Sequence, residues 1–144
     1  LAESVGSQSV VIVMDIRKNF LGNNYELVTH NGTKKTGISP VKFVEEIKEL
    51  GVGEIVINSI DRDGTMEGYD YQLIDKIRNL TTLPMTILGG AGSLEDIGDL
   101  ISRYKIIGSG AGSIFVFKGK YRAVLINYPN DKEKMDLIKK YMNQ

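Results

Sequence analysis

Apolar residues along this chain come in two rhythms: short continuous runs, and stretches between them in which apolar positions recur every three or four residues. Ser9-Val10-Val11-Ile12-Val13-Met14 is a largely β-branched run that stops at Asp15, the pattern of a strand buried on both faces. Glu54-Ile55-Val56-Ile57, Met85-Thr86-Ile87-Leu88 and the shorter Ile106-Ile107-Gly108 repeat that pattern. Between them lie helices. Ser39-Pro40 caps and starts one, with Val44 and Ile47 on one face, Phe43, Ile47 and Leu50 on the adjoining face, and Gly51 as its stop. Asp70 caps a second that runs to about Asn79 with Leu73, Ile74 and Ile77 inward. Ser93 with Asp96 forms a capping-box start to a third, which buries Leu94, Ile97, Ile101 and Tyr104. A last helix, from about Asp131 to Met142, shows Met135, Ile138 and Met142 on one side. Leu1 to Val5 reads as the tail of a helix, and Ala123 to Pro129 as a strand or an extended segment.

One insertion breaks the alternation. Tyr25 to His30 and Thr33 to Thr36 flank Asn31-Gly32, the strongest short hairpin signal a sequence offers, and place a β-hairpin between the first strand and its helix.

Apart from this insertion, strand and helix alternate four times over, which is the pattern of parallel βα units and of an α/β fold. An open doubly wound sheet and part of an eight-stranded barrel both satisfy it. Successive strands that end in functional groups favour the barrel, where all strand tips converge on one mouth. A complete barrel needs about 250 residues, and 144 residues supply half of one. Residues 1–144 are thus read as a half-barrel of a single domain whose N-terminal half is absent. Its outer strands would present open edges, which pair with another copy, pair with the absent half, or invite aggregation; self-association is expected.

The densest chemistry lies in the loop Asn58 to Asp70, which holds Asp61, Arg62, Asp63 and two glycines, Gly64 and Gly68, beyond a strand end. α/β folds put their active sites there. Asp15 at one strand end and Asp61 or Asp63 at the next could meet across the mouth for proton transfer, or could merely cap helices and pair with Arg17 or Arg62. Gly89-Gly90-Ala91-Gly92-Ser93 and Gly110-Ala111-Gly112-Ser113 each set glycines between a strand and a helix start, where free backbone N–H groups make an anion site. A phosphate ligand is expected from the pair of them. Phe115 and Phe117 are read as core.

Composition removes some classes. Lys and Arg number 18 and Asp and Glu 18, so there is no basic footprint for nucleic acid or a membrane surface. Without cysteine, and with His30 as the single histidine, neither a disulfide framework nor a thiolate or histidine-rich metal site is expected, and no cofactor is called for. No apolar stretch has the length of a membrane span. A soluble, cytoplasmic protein is expected.

These residues carry a resemblance. Met14-Asp15-Ile16-Arg17-Lys18, the hairpin Thr29 to Gly37, the loop Ser59-Ile60-Asp61-Arg62-Asp63-Gly64-Thr65 with Gly68-Tyr69-Asp70, and Gly89-Gly90-Ala91-Gly92 together resemble the C-terminal half of the cyclase subunit of imidazole glycerol phosphate synthase, the HisF family, from Leu1 to about Phe117. The resemblance implies strands five to eight of a (β/α)8 TIM barrel. It implies an acid/base role for Asp15, whose partner carboxylate lies on strand one, and a mouth carboxylate at Asp63. It implies phosphate-binding positions at Gly64, Gly90, Gly112 and Ser113. The implied reaction takes ammonia from a glutaminase subunit docked on the opposite face. The ammonia attacks a ribulosyl-formimino ribotide, which closes to imidazole glycerol phosphate and releases aminoimidazole carboxamide ribotide.

Three departures touch the substrate. Asp15-Ile16-Arg17-Lys18 stands where that family usually has Asp-Ala-Lys-Arg, and Leu88 precedes Gly89 in place of a small polar residue. The end of the chain, Phe115 to Pro129, is similar instead to paralogues of surface-sugar amidation, which build acetamidino groups on nucleotide-activated sugars. Three functions therefore stand: the histidine-pathway cyclase, the sugar-amidating paralogue, and a half-barrel that binds phosphorylated ligands without catalysis.

Overall fold

The computed structural model describes residues 2–19, 24–119 and 121–142. Its centre is a sheet whose four parallel strands follow chain order. β1 (Val11–Lys18), β4 (Glu54–Ser59), β5 (Met85–Leu88) and β6 (Gly108–Ser109) pair in parallel, and β2 (Tyr25–Thr29) with β3 (Lys34–Lys35) extends the sheet beyond β1 in antiparallel pairing. The hairpin forms where Asn31-Gly32 placed it, but its loop is longer than a two-residue turn, because His30, Asn31 and Gly32 all adopt left-handed φ values of 54°, 55° and 77°.

The helices α2 (Pro40–Lys48), α3 (Tyr71–Arg78) and α4 (Leu94–Tyr104) connect the parallel strands. Alternation within each strand decides where they pack. Met14 and Ile16 of β1, Ile55 and Ile57 of β4, and Met85 and Ile87 of β5 are all buried, and they share one core with Val44 and Ile47 of α2, Leu73, Ile74 and Ile77 of α3 and Leu100 of α4. Each such side chain contributes about 1.5–3 kcal/mol by leaving water. On the other face of the sheet Val11 is 48% and Val13 62% exposed. A doubly wound sheet covers both faces with helices. Here the described helices serve one face, so this α/β fold of alternating strands and helices is consistent with a partial (β/α)8 barrel.

Several local expectations need correction. β1 runs past Asp15 to Lys18 because its last residues find a second partner: Asp15 to Lys18 pair with Val28 to Tyr25. Asp15 thus lies within the strand, and the hairpin covers the upper part of an edge expected to be open. Leu50 lies beyond α2 and is 66% exposed. β6 begins only at Gly108, with Ile106 83% exposed, and Ile114-Phe115-Val116 is part of a short helix α5 (Ser113–Val116). In α4 the fully buried residues are Gly98 and Leu100, while Leu94, Ile97, Ile101 and Tyr104 are half-buried. In α6 (Asp131–Met142) the side with Met135, Ile138 and Met142 is exposed, and Tyr141 is the buried anchor against α4. Between them β7 (Phe117–Lys118) and β8 (Ala123–Val124) make a minimal hairpin, and the segment beyond it runs extended with Leu125 and Asn127 N–H groups bonded to Val116 and Phe115 carbonyls. At the other end Ala2–Val5 forms one helical turn, with Leu1 outside the described residues. No described helix is long and apolar enough to cross a membrane.

Candidate active site

The site starts from strand alternation at the C-terminal end of β4. Ser59 turns into the helix-covered core and is buried, so Asn58 faces the open side of the sheet. The register sets Asn58 beside Asp15 of β1, and the Asn58 Nδ2–H donates to Asp15 Oδ1 at 2.9 Å. Both side chains are half-buried.

The loop after β4 folds back on its own strand end, with the Arg62 and Asp63 N–H groups both bonded to the Ser59 carbonyl. Asp61 then points away from the mouth. Its Oδ2 accepts from the Lys18 N–H at 2.6 Å, and its Oδ1 lies 3.5 Å from Arg17 Nε. Of the two loop carboxylates considered, Asp61 is a tether to β1, and Asp63 is the one left at the mouth, exposed.

Three glycines of the turn after β5 exist for close packing of this loop. A Cβ on Gly89 would collide with the Ser59 carbonyl oxygen, one on Gly90 with that of Gly68, and one on Gly92 with that of Met66. Met66 itself takes a left-handed φ of 62° in this contact, and the Gly68 N–H donates to the Gly90 carbonyl at 2.8 Å. The turn also has fewer free donors than its glycines suggest. The Gly92 and Ser93 N–H groups both go to Asp96 Oδ2, at 2.8 and 3.0 Å, while Ser93 Oγ accepts from the Asp96 N–H. The capping box thus consumes the amides that would have faced an anion at the start of α4.

The turn after β6 is different. Gly112 has an ordinary φ of −117°, and a Cβ there would meet nothing within 4 Å, so neither backbone conformation nor internal packing asks for glycine. Ser113 opens α5, and first-turn N–H groups have no partner within a helix. Because α5 has only four residues, the amides themselves rather than a helix dipole are what this turn offers.

Asn58, Asp63, Gly64, Gly90, Gly112 and Ser113 line one open cleft of about 390 Å³. Five of these are the residues singled out from the sequence; Asp15 reaches the cleft through Asn58. Asn58 is the one that sequence reasoning missed. Its type was visible, but the register that puts it against Asp15 was not. A slightly larger cleft, about 440 Å³, lies between the hairpin, α2 and α3 and shares no lining residue with this one.

Around the site, two buried tyrosines are held by hydrogen bonds. Burial and then the Asp70 carboxylate, which accepts from the Tyr25 hydroxyl at 2.9 Å, hold the Tyr25 phenol well above its usual range. Asp70 also caps α3 by accepting from the Leu73 N–H at 3.0 Å, as its position in the sequence predicts. Burial likewise raises Tyr69, whose hydroxyl lies 2.7 Å from Ser109 Oγ and ties the end of the loop to β6. Among the described residues no cluster of three or more His, Cys, Asp or Glu could hold a metal ion.

Comparison with known proteins shows the family. Residues 1–122 match the family described as histidine biosynthesis protein. The chain is 54% identical over 138 residues to a putative imidazole glycerol phosphate synthase subunit HisF of Leptospira interrogans, covering 96% of this chain and 54% of that protein. It is 50% identical over 134 residues to a putative imidazole glycerol phosphate synthase subunit hisF3 of Vibrio vulnificus, covering 93% and 52%. With the imidazole glycerol phosphate synthase subunit HisF of Chlorobium limicola it shares 40% identity over 118 residues, covering 82% and 46%. The chain thus spans about half the length of the curated relatives it matches. A partial barrel with strand-end polar groups, matched over most of its length, belongs to the histidine biosynthesis protein family as a homologue of HisF.

Proposed function

We propose that this chain forms strands five to eight of a complete (β/α)8 barrel and supplies one half of the active site of an ammonia-dependent cyclase. The HisF relatives are named for the synthesis of imidazole glycerol phosphate; in the reaction proposed for this chain, ammonia delivered by a glutaminase partner attacks a ribulosyl-formimino ribotide, which yields imidazole glycerol phosphate and aminoimidazole carboxamide ribotide. Asp15 serves as one acid/base group and Asp63 as a mouth carboxylate. Gly64, Gly90, Gly112 and Ser113 hold one phosphate of the substrate.

The observation that carries this reading is Gly112. A glycine with an ordinary φ and empty space beside its Cβ is unexplained by the chain itself, and it is explained by a ligand that approaches the backbone closely. That ligand would sit in the same cleft as Asp63 and Asn58.

A second reading concerns the C-terminal segment. Relatives named as putative subunits match over 134 to 138 residues, whereas the Chlorobium limicola subunit matches over 118 and the family match stops at residue 122. The additional segment folds back on the site's surroundings: Tyr128 packs on Phe115 with ring centres 4.8 Å apart, next to the α5 turn. An amidating subunit for nucleotide-activated sugars would use the same barrel chemistry with this different rim.

The complete protein, purified with a glutaminase partner or fed ammonium, is assayed against the ribulosyl-formimino ribotide and against a nucleotide-activated sugar. Ammonia-dependent product from the first supports the cyclase, and from the second the amidating subunit. Turnover of neither, with phosphate still bound, leaves the binding half-barrel.

A further inference from the structure

We infer that Asn58 is a positioning residue: by occupying Oδ1 of Asp15 it leaves Oδ2 as the oxygen that exchanges protons, and it fixes the orientation of that carboxyl beside the phosphate-holding cleft. The inference rests on the functional reading above for its chemistry, but its geometry stands by itself.

Three observations converge on Asn58. Its amide N–H donates to Asp15 Oδ1 at 2.9 Å across 43 residues of sequence. It lines the cleft with Gly112 and Ser113, while Asp15 is not among that cleft's lining residues. Among the described residues it is thus the side chain that touches both the carboxylate and the phosphate-holding cleft. Finally, its position is fixed by the ladder rather than by a loop, since Asp15 and Asn58 are direct partners in the parallel pairing of β1 with β4. A group placed on a strand holds its geometry more closely than one on a loop.

The chemistry follows from the inventory of donors and acceptors. An ionised carboxylate has two oxygens and a torsion about which they exchange places. A neutral donor fixed beside one of them breaks that equivalence and removes the rotation. An amide suits the task because it carries no charge and no proton that titrates. A carboxylate at position 58 would repel Asp15 at hydrogen-bond distance, so the two could not both ionise.

The test uses Asn58→Leu, which keeps the shape and removes the donor, and Asn58→Asp, which keeps the shape and replaces the donor by a second carboxylate. In the complete protein, Asn58→Leu is expected to lower kcat roughly 10- to 100-fold with KM within about two-fold of wild type. Inorganic phosphate, titrated by NMR, binds it as it binds wild type. Asn58→Asp is expected to move the pH–rate profile to lower pH, because one of the facing carboxyls must keep a proton; a purely structural residue would not shift that profile. Crystal structures of the variants report the Asp15 rotamer, which turns or splits in Asn58→Leu. A wild-type kcat and an unmoved Asp15 in Asn58→Leu would overturn the inference. If the unmodified protein turns over none of the substrates assayed, the cyclase reading fails, and the Asp15 rotamer alone then decides whether Asn58 positions it.

Discussion

The ring of Tyr141 occupies the space that a side chain on Gly98 would need: a Cβ at Gly98 would sit well inside contact distance of three of the ring's carbons. This one contact seats α6 on α4, with Gly98 as the flat place on α4 and Tyr141 as the buried residue of an otherwise largely exposed helix. Gly98→Ala is therefore expected to destabilise by roughly 1–3 kcal/mol, the cost of overpacking. Tyr141→Ala is expected to cost about 3 kcal/mol. Thermal unfolding of the two variants and of the double variant checks this. If the contact seats the helix, the two losses will not add.

The glycines of the two turns are expected to separate. Gly90→Ala drives a methyl into the Gly68 carbonyl and forces a residue with φ of 112° out of the glycine region. It should destabilise by about 2 kcal/mol or more. Gly112→Ala meets open space at an ordinary φ and should change stability by no more than about 0.5 kcal/mol, yet weaken phosphate binding. Urea unfolding and an NMR phosphate titration of this chain read both. Phosphate shifts confined to Lys34 and Lys35 on the hairpin would indicate charge attraction alone.

Asp15→Asn in the complete protein is expected to lower ammonia-dependent turnover by roughly 10² to 10⁴ while the fold persists, since a carboxamide cannot shuttle the proton. The Asn58 N–H can donate to the new amide's oxygen as it did to the carboxylate. Turnover at saturating ammonium is the measurement, and activity within a few-fold of wild type removes Asp15 from the mechanism.

The chain alone is expected to self-associate. Val11 and Val13 lie exposed on the sheet face that carries no helix, and the Val11 to Met14 stretch of β1 has no strand partner on its outer edge among the described residues. The hairpin protects only Asp15 to Lys18. Val13→Lys is expected to shift the chain toward monomer in sedimentation at micromolar concentration. A wild-type monomer under those conditions would contradict the expectation.

Tyr25→Phe should remove an alkaline sensitivity. Folding holds the Tyr25 phenol above its ordinary value of 10.0. Its contribution is complete below that pH and lost as pH rises through the folded-state value, because the unfolded chain releases the proton first. Loss of the bond to the Asp70 carboxylate costs about 1.5–3 kcal/mol near neutral pH. Between pH 10 and 12, on the usual tyrosine scale, the stability gap between wild type and variant should narrow. Chemical denaturation across that range measures it.

What the sequence determined by itself was local and periodic. Asp70 as a cap, the Ser93–Asp96 capping box, Val44 and Ile47 of α2 and the inward set of α3 were legible because each depends on neighbours within one or two helical turns. The alternation of strand and helix was legible for the same reason. Tertiary structure decided everything that depends on register or approach between distant segments. Asn58 meets Asp15 only because β1 and β4 align in one of several possible registers, and a shift by one residue would put the two side chains on opposite faces. Asp61 and Asp63, nearly adjacent and alike in sequence, were separated by which one could reach the Lys18 N–H. Gly90 and Gly112 looked equivalent as letters in glycine-rich turns. The first proved to be shaped by a carbonyl brought from 22 residues away in the chain and the second by open space, a difference that no local pattern encodes.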